Sequence, residues 1–132
     1  MIAVLAGLIV GGLVNGGLVA LGPHVIPPPP GVDMTTAEGL QAGMTLLAPR
    51  HFVFPFLAHA LGTLAGAIVA ARVAATYATR LALVVGVVFL AGGIMAARMI
   101  PAPAWFVALD LMVAYIPMGW LGGRLAAPSG RR

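Results

Sequence analysis

Four runs of mostly apolar residues, each about as long as a bilayer is thick, constrain this chain more than any other feature. They cover residues 2–22, 52–75, 80–99 and 104–125. A transmembrane helix needs about 20 such residues. Only 8% of the 132 residues are charged, whereas an average soluble domain has about 25%. The sequence therefore predicts an all-α integral membrane protein, a four-helix bundle that forms one domain over residues 1–132.

The seven basic residues, all of them Arg, predict how the bundle lies in a membrane. Four spans place both termini on one side, and five residues fall on that side: Arg72, Arg80, Arg124, Arg131 and Arg132. The other side has Arg50 and Arg98, offset by Asp33 and Glu38. Because basic residues accumulate on the cytoplasmic side, we expect a bacterial inner-membrane protein with both termini in the cytoplasm and segment 23–51 in the periplasm.

The outer segment 23–51 combines a stiff stretch with a short helix. Its four consecutive prolines, residues 27–30, favour an extended polyproline conformation because each ring fixes φ. A helix is predicted over about 35–47, where Thr35 and Glu38 have the spacing of a capping box. Its apolar residues share one face: Ala37, Leu40, Met44 and Leu47. Such an amphipathic helix is typical of the membrane interface.

Small residues predict which helix faces meet. In lipid, helices associate where glycine and alanine let their backbones approach closely. The G-x-x-x-G pairs are Gly7/Gly11 and Gly12/Gly16 in the first span and Gly62/Gly66 in the second. His59 shares a face of its helix with Gly62 and Gly66. We therefore expect His59 to point into protein and not toward lipid.

Three polar residues on three different spans lie at a similar depth. Asn15 precedes the end of its run by seven residues, His59 follows the start of its run by seven, and Asp110 follows its own by six. At 1.5 Å rise per residue, each lies about 10 Å below the outer surface. Their common depth predicts one buried polar site that opens outward. We expect Arg98 and Tyr115 to contact its ligand as well. Because an unpaired carboxylate in hydrocarbon is costly, His59 and Arg98 are candidate partners of Asp110.

Three functions remain open for this site. An ionisable residue inside a membrane favours a functional role, so the preferred interpretation is a non-enzymatic protein in which Asn15, His59 and Asp110 bind a small ligand, a lipid headgroup or a proton. Such a protein could transport its ligand as a homo-oligomer. Alternatively, a membrane enzyme could use His59 as base and Asp110 as its orienting partner on a lipid. In a scaffold or accessory subunit, the cluster would only hold helices together.

No metal or cofactor is predicted. A metal site needs three or four ligands, and His51, His59 and Asp110 could provide them only if the outer segment folds inward. The chain has no cysteine, which excludes disulfides and thiolate ligands. We expect the lipid bilayer as a partner, including anionic lipid at a disordered basic tail, residues 127–132. The net charge of +4 does not indicate nucleic-acid binding, because the Arg residues are spread along the chain at helix ends.

Four stretches of the sequence carry a resemblance: HFVFPFLAHALGTLAGAIVAA, PAPAWFVALDLMVAYIPMGWLG, GGLVNGGLVALG and PPPPGVD. Together they resemble a group of small four-span bacterial inner-membrane proteins, and the similarity covers nearly the whole chain. The resemblance implies the fold and the location, and it implies no activity or ligand. Asn15, His59 and Asp110 lie inside the matching stretches.

Overall fold

The apolar runs form long helices in the computed structural model, which describes residues 1–126. The predicted basic tail, with Arg131 and Arg132, lies outside the described residues. The α-helices are α1 (Ile2–Val25), α2 (Ala37–Gly43), α3 (Val53–Val73), α4 (Ala78–Met99), α5 (Ala104–Val113) and α6 (Ile116–Ala126). Short 3-10 turns at Met44–Leu46 and Pro49–Phe52 follow α2 and precede α3.

The prediction of an all-helical fold with four long apolar helices is confirmed. Within residues 1–126, four helical segments are long and apolar enough to cross a membrane: Ile2–Val25, Pro49–Val73, Ala78–Met99 and Ala104–Ala126. The last of these combines α5 and α6. Within the described part of the chain, α3 lies at the centre, where it packs against α1, α4 and α6.

The α1–α3 interface is built from glycine backbones in direct contact. A Cβ atom on Gly7 would lie 2.5 Å from the carbonyl oxygen of Gly66, and one on Gly11 would lie 2.6 Å from that of Gly62. Two G-x-x-x-G pairs therefore pack against each other, antiparallel, with no room for a side chain. Gly12, by contrast, has no neighbouring atom within 4 Å of where its Cβ would be.

The break between α5 and α6 follows from Pro117. Proline has no N–H to bond the carbonyl four residues earlier, and its ring crowds that carbonyl, which here belongs to Val113. The helix stops at Val113, and α6 begins at Ile116. Between them lies Tyr115, which is 2% exposed. Its ring packs against Gly93 of α4, where any Cβ would overlap the tyrosine hydroxyl.

The predicted capping box of Thr35 and Glu38 is wrong: the N-cap lies one residue later, and Gly39, three residues beyond it, has no side chain to complete a box. Thr36 is the N-cap of α2, and its hydroxyl accepts the N–H of Gly39 at 3.0 Å. Thr35 is engaged elsewhere, since its hydroxyl (2.6 Å) and its N–H (2.8 Å) both donate to Oδ1 of Asp33. These two donors hold the pKa of Asp33 below its ordinary value, because they stabilise the carboxylate.

Two hydrogen bonds fasten the outer segment over the ends of α3 and α4. The amide of Gln41 in α2 donates to the backbone carbonyl of Met99 at 2.7 Å. His51 contacts the carbonyl of Pro27 through Nε2 at 3.2 Å. Its other ring nitrogen, Nδ1, accepts the N–H of Ala48 at 2.8 Å. His51 is therefore the Nε2–H tautomer, which donates to Pro27 and ties the proline stretch to the start of α3.

Candidate functional site

The centre of the site is a contact between α3 and α5. Nδ1 of His59 lies 2.9 Å from both carboxylate oxygens of Asp110. An ionised carboxylate can only accept hydrogen bonds. Nδ1 of His59 therefore carries a proton and donates a hydrogen bond to Asp110. The carboxylate side chain is 7% exposed, and the imidazole is 24% exposed. The prediction that Asp110 is paired with His59 agrees with this geometry.

A third side chain completes what we call the polar cluster, formed by His59, Asp110 and Tyr115. The Tyr115 hydroxyl donates to Oδ2 of Asp110 at 3.0 Å. The Tyr115 ring also stacks on the imidazole, with 5.8 Å between ring centroids and 30° between ring planes. The carboxylate thus receives one donor from each aromatic neighbour. These two hydrogen bonds stabilise the negative charge of Asp110, which would be costly to bury without them.

Small neighbours allow the cluster to form at this level of the bundle. Ala60 and Ala114 are buried beside Tyr115, and Gly93 leaves the space that the tyrosine ring fills. One turn after His59, the Thr63 hydroxyl donates to the His59 carbonyl at 2.8 Å. The hydroxyl proton of Thr63 is therefore already used in a hydrogen bond. Neither Thr63 nor Tyr115 is therefore presented as a nucleophile.

Two residues predicted for the site are not brought into the polar cluster. Asn15 is half-buried on α1, where its Cβ packs beside Gly62. Among the described residues it makes no hydrogen bond to His59 or Asp110. Arg98 is exposed near the end of α4, and the ion pair that Asp110 makes within residues 1–126 is with His59.

His51 differs from His59 because neither of its ring nitrogens is open to a ligand. It is 4% exposed, and both of its ring nitrogens are held by the backbone of Ala48 and Pro27. The metal site considered for His51, His59 and Asp110 is not assembled in residues 1–126, where no three His, Asp or Glu side chains are grouped as metal ligands.

His59 lies between two cavities. The larger, which we call the outer cavity, has a volume of about 160 Å³ and lies between the end of α1, the segment around α2 and the start of α3. Its apolar walls include Val19, Ile26, Met34, Leu40, Phe54 and Pro55. The second cavity, about 80 Å³, lies between α4 and α5 and also contacts Asp110.

The second imidazole nitrogen of His59, Nε2, is the reactive atom of this arrangement. It has no hydrogen-bond partner in the described part of the chain. No side-chain nitrogen or oxygen there is both buried and unpartnered, so Nε2 is accessible. In the neutral imidazole with its proton on Nδ1, Nε2 has a lone pair. It can accept a hydrogen bond from a ligand, accept a proton, or act as a general base toward water.

The sequence did not predict that Tyr115 and Asp110 are directly bonded, or that Gly93 makes room for the tyrosine. The only signal for this contact was Pro117, which predicts a break beside Tyr115. Comparisons with known proteins add no precedent: no family model, no curated protein and no solved structure matches this chain.

Proposed function

We propose that this protein is a multi-pass protein of the bacterial inner membrane that binds a small ligand at His59, in a site open toward the periplasm. The ligand donates a hydrogen bond, or a proton, to Nε2. Asp110 fixes the tautomer that makes Nε2 an acceptor, and Tyr115 fixes Asp110. If the ligand is also transported, several copies of the chain would have to associate, because four helices are few to enclose a pathway.

The accessible Nε2 next to a cavity is the observation that supports binding over simple cohesion. Hydrogen bonds between membrane helices contribute about 0.6 kcal/mol on average, which is a small return for burying a carboxylate. A cluster used only for cohesion has no need of an accessible second nitrogen on a histidine that lines two cavities. The outer cavity gives that nitrogen a place to meet a ligand.

The membrane assignment is supported by the four long apolar helices and by the excess of Arg on the side of the termini. We expect cysteines introduced at two exposed threonines to report this topology, since the chain has no cysteine of its own. In intact spheroplasts, a membrane-impermeant maleimide should label Thr45→Cys, whereas Thr76→Cys should be labelled only after lysis. The reverse pattern would contradict the orientation, and labelling of both before lysis would contradict the spans.

Replacing His59 should remove the bound ligand without removing the protein. We expect wild-type protein, gently extracted from its native membrane, to carry a small molecule that native mass spectrometry detects. His59→Phe keeps a ring of similar size but has no acceptor nitrogen, so occupancy should fall by at least about tenfold, which corresponds to the loss of about one hydrogen bond to a charged or strongly polar group.

The matched control is His24→Phe, which makes the same change at an exposed histidine in the last turn of α1. It should retain the bound molecule. Equal occupancy in wild type and His59→Phe would refute a role for Nε2 in binding.

A lipid hydrolase is the second candidate, because an oriented His–Asp pair with an accessible Nε2 can activate water. The two nearby hydroxyls, on Thr63 and Tyr115, already donate to other groups, so a covalent intermediate on either is not supported. This candidate predicts turnover of labelled native lipid by purified protein. Release of no product over prolonged incubation would eliminate it and leave binding.

A further inference from the structure

We propose that the ligand is an uncharged phenol, with one six-membered ring in the outer cavity and its hydroxyl donating to Nε2 of His59. This inference rests on the proposed function and adds the chemical class of the ligand. Two sources share this chemistry: small phenols that enter from solution, and phenols that are anchored in the bilayer by an alkyl chain.

The volume of the outer cavity fits a single ring. It measures about 160 Å³, and an apolar protein cavity of about 150 Å³ is known to hold benzene. A glycerophospholipid headgroup with its glycerol is larger. The cavity lining also includes three ring-bearing residues, Phe54, Pro55 and His51.

Of the side-chain nitrogen and oxygen atoms of the residues that line the cavity, Nε2 of His59 is the one open to a ligand. Both nitrogens of His51 are already bonded to backbone atoms, so that residue contributes only wall. Nε2 of His59 remains as an acceptor. A phenolic hydroxyl suits this acceptor better than an aliphatic one, because it is the more acidic donor.

The charge of the cavity excludes anionic headgroups. None of the residues that line it is Arg or Lys, and a buried phosphate or carboxylate without a cationic partner is costly. Arg98, the nearest basic residue proposed from the sequence, is exposed at the end of α4 and does not line the outer cavity. A neutral ligand with an apolar body is what these walls accommodate.

The test uses full-length protein with ¹⁵N-labelled histidine in bicelles, titrated with p-cresol. The chain has three histidines, so the ring resonances of His59 can be assigned by substitution, and His24 serves as an internal reference. We expect a saturable shift of the His59 Nε2 resonance. Its apparent Kd should be at least about tenfold weaker for 4-methylanisole, which has the same ring without the O–H donor.

A cavity-filling variant tests the location without touching the polar cluster. Leu40→Trp places an indole in the outer cavity from the side of α2, and it should abolish the p-cresol shift while the His59 resonances stay as in wild type. Titration with 4-decylphenol separates the two sources. Tighter apparent binding than p-cresol supports a membrane-anchored ring, and equal binding supports a free phenol.

Two results would overturn the phenol assignment: no saturable shift at His59 with either phenol, or equal shifts with p-cresol and 4-methylanisole. The proposed function has its own readout, the molecule that co-purifies with wild type and is lost in His59→Phe. If that molecule is found and phenols do not bind, only the ligand class is wrong. If neither is found, both proposals fail.

Discussion

Gly11→Val is expected to destabilise the bundle strongly. The new Cβ would lie 2.6 Å from the carbonyl oxygen of Gly62 and 2.8 Å from the ring of Phe89. Because the carbonyl belongs to the α3 backbone, it cannot move without shifting the helix. Overpacking of this kind costs about 1–3 kcal/mol, occasionally more. Thermal unfolding in detergent, followed by circular dichroism, should show a melting temperature well below that of wild type.

The adjacent residue provides a closely matched control. Gly12→Val makes the same change in volume and helix propensity one residue further along α1, where the added Cβ has no neighbour within 4 Å. It should leave the melting temperature close to that of wild type. If the two variants melt alike, or if Gly12→Val is the less stable, then α1 does not pack on α3 through Gly11.

Asp110→Asn should abolish ligand binding while leaving the fold nearly intact. The buried Tyr115 hydroxyl needs an acceptor, and in the variant the amide oxygen at position 110 provides it. The amide NH₂ then faces Nδ1 of His59, which must become an acceptor, so the imidazole proton moves to Nε2. An Asp→Asn change of this kind preserves geometry and selects the wrong histidine tautomer. A ligand would then find an N–H donor at Nε2 of His59, where the wild type has an acceptor.

We expect the affinity for the ligand to fall by at least about tenfold and the free energy of unfolding to change by less than about 2 kcal/mol, the upper range for such bonds in membranes. The ¹⁵N resonances of His59 should report the exchange of protonated and unprotonated nitrogens directly. Unchanged tautomer and unchanged affinity would contradict the role given to Asp110.

A double variant separates the tautomer from other effects of the substitution. In Asp110→Asn combined with Tyr115→Phe, no hydroxyl holds the amide oxygen, so the amide can rotate and accept the proton of Nδ1. The original tautomer and much of the ligand affinity should return. Loss of affinity in the double variant equal to that in Asp110→Asn would show that charge, and not tautomer, controls binding.

Helix positions, and the common level of His59 and Asp110 in the bundle, could be predicted from the sequence because both follow from the lengths of the apolar runs. The apolar runs set where each helix begins and ends, and a fixed rise per residue then sets depth. His59 and Asp110 were expected at the same level of the bundle, and they are in hydrogen-bond contact. The Gly7/Gly11 and Gly62/Gly66 pairs were also expected at interfaces, and they pack against each other.

Rotation about the helix axis and local breaks could not be predicted in the same way. Tyr115 follows Asp110 by five residues, which on a continuous helix places the two about 140° apart. The interruption between α5 and α6 brings the hydroxyl back to the carboxylate. Asn15 lies beside Gly62, about one turn from His59, but it makes no bond to the cluster in the described structure. Two residues on neighbouring helices can touch only if they lie at the same level of the bundle. Which side of each helix faces the neighbour depends on where glycines let the backbones approach.

The choice of cap on α2 shows the same limit at shorter range. Thr35 and Thr36 are equivalent by residue type, and the sequence spacing favoured Thr35. The structure uses Thr36, because Asp33 takes both donors of Thr35. Competition between two local hydrogen-bond patterns decided the outcome, and a single spacing rule does not represent that competition.

A structure of the protein extracted from its native membrane, determined with whatever molecule it carries, would show directly whether His59 binds a ligand. We expect density for a bound molecule in the outer cavity, with a polar atom within hydrogen-bond distance of Nε2 of His59, while Nδ1 remains on Asp110. This expectation would be contradicted by a cavity in which Nε2 is bonded by another side chain of the protein, such as Asn15. In that case the polar cluster would serve only to hold the helices together.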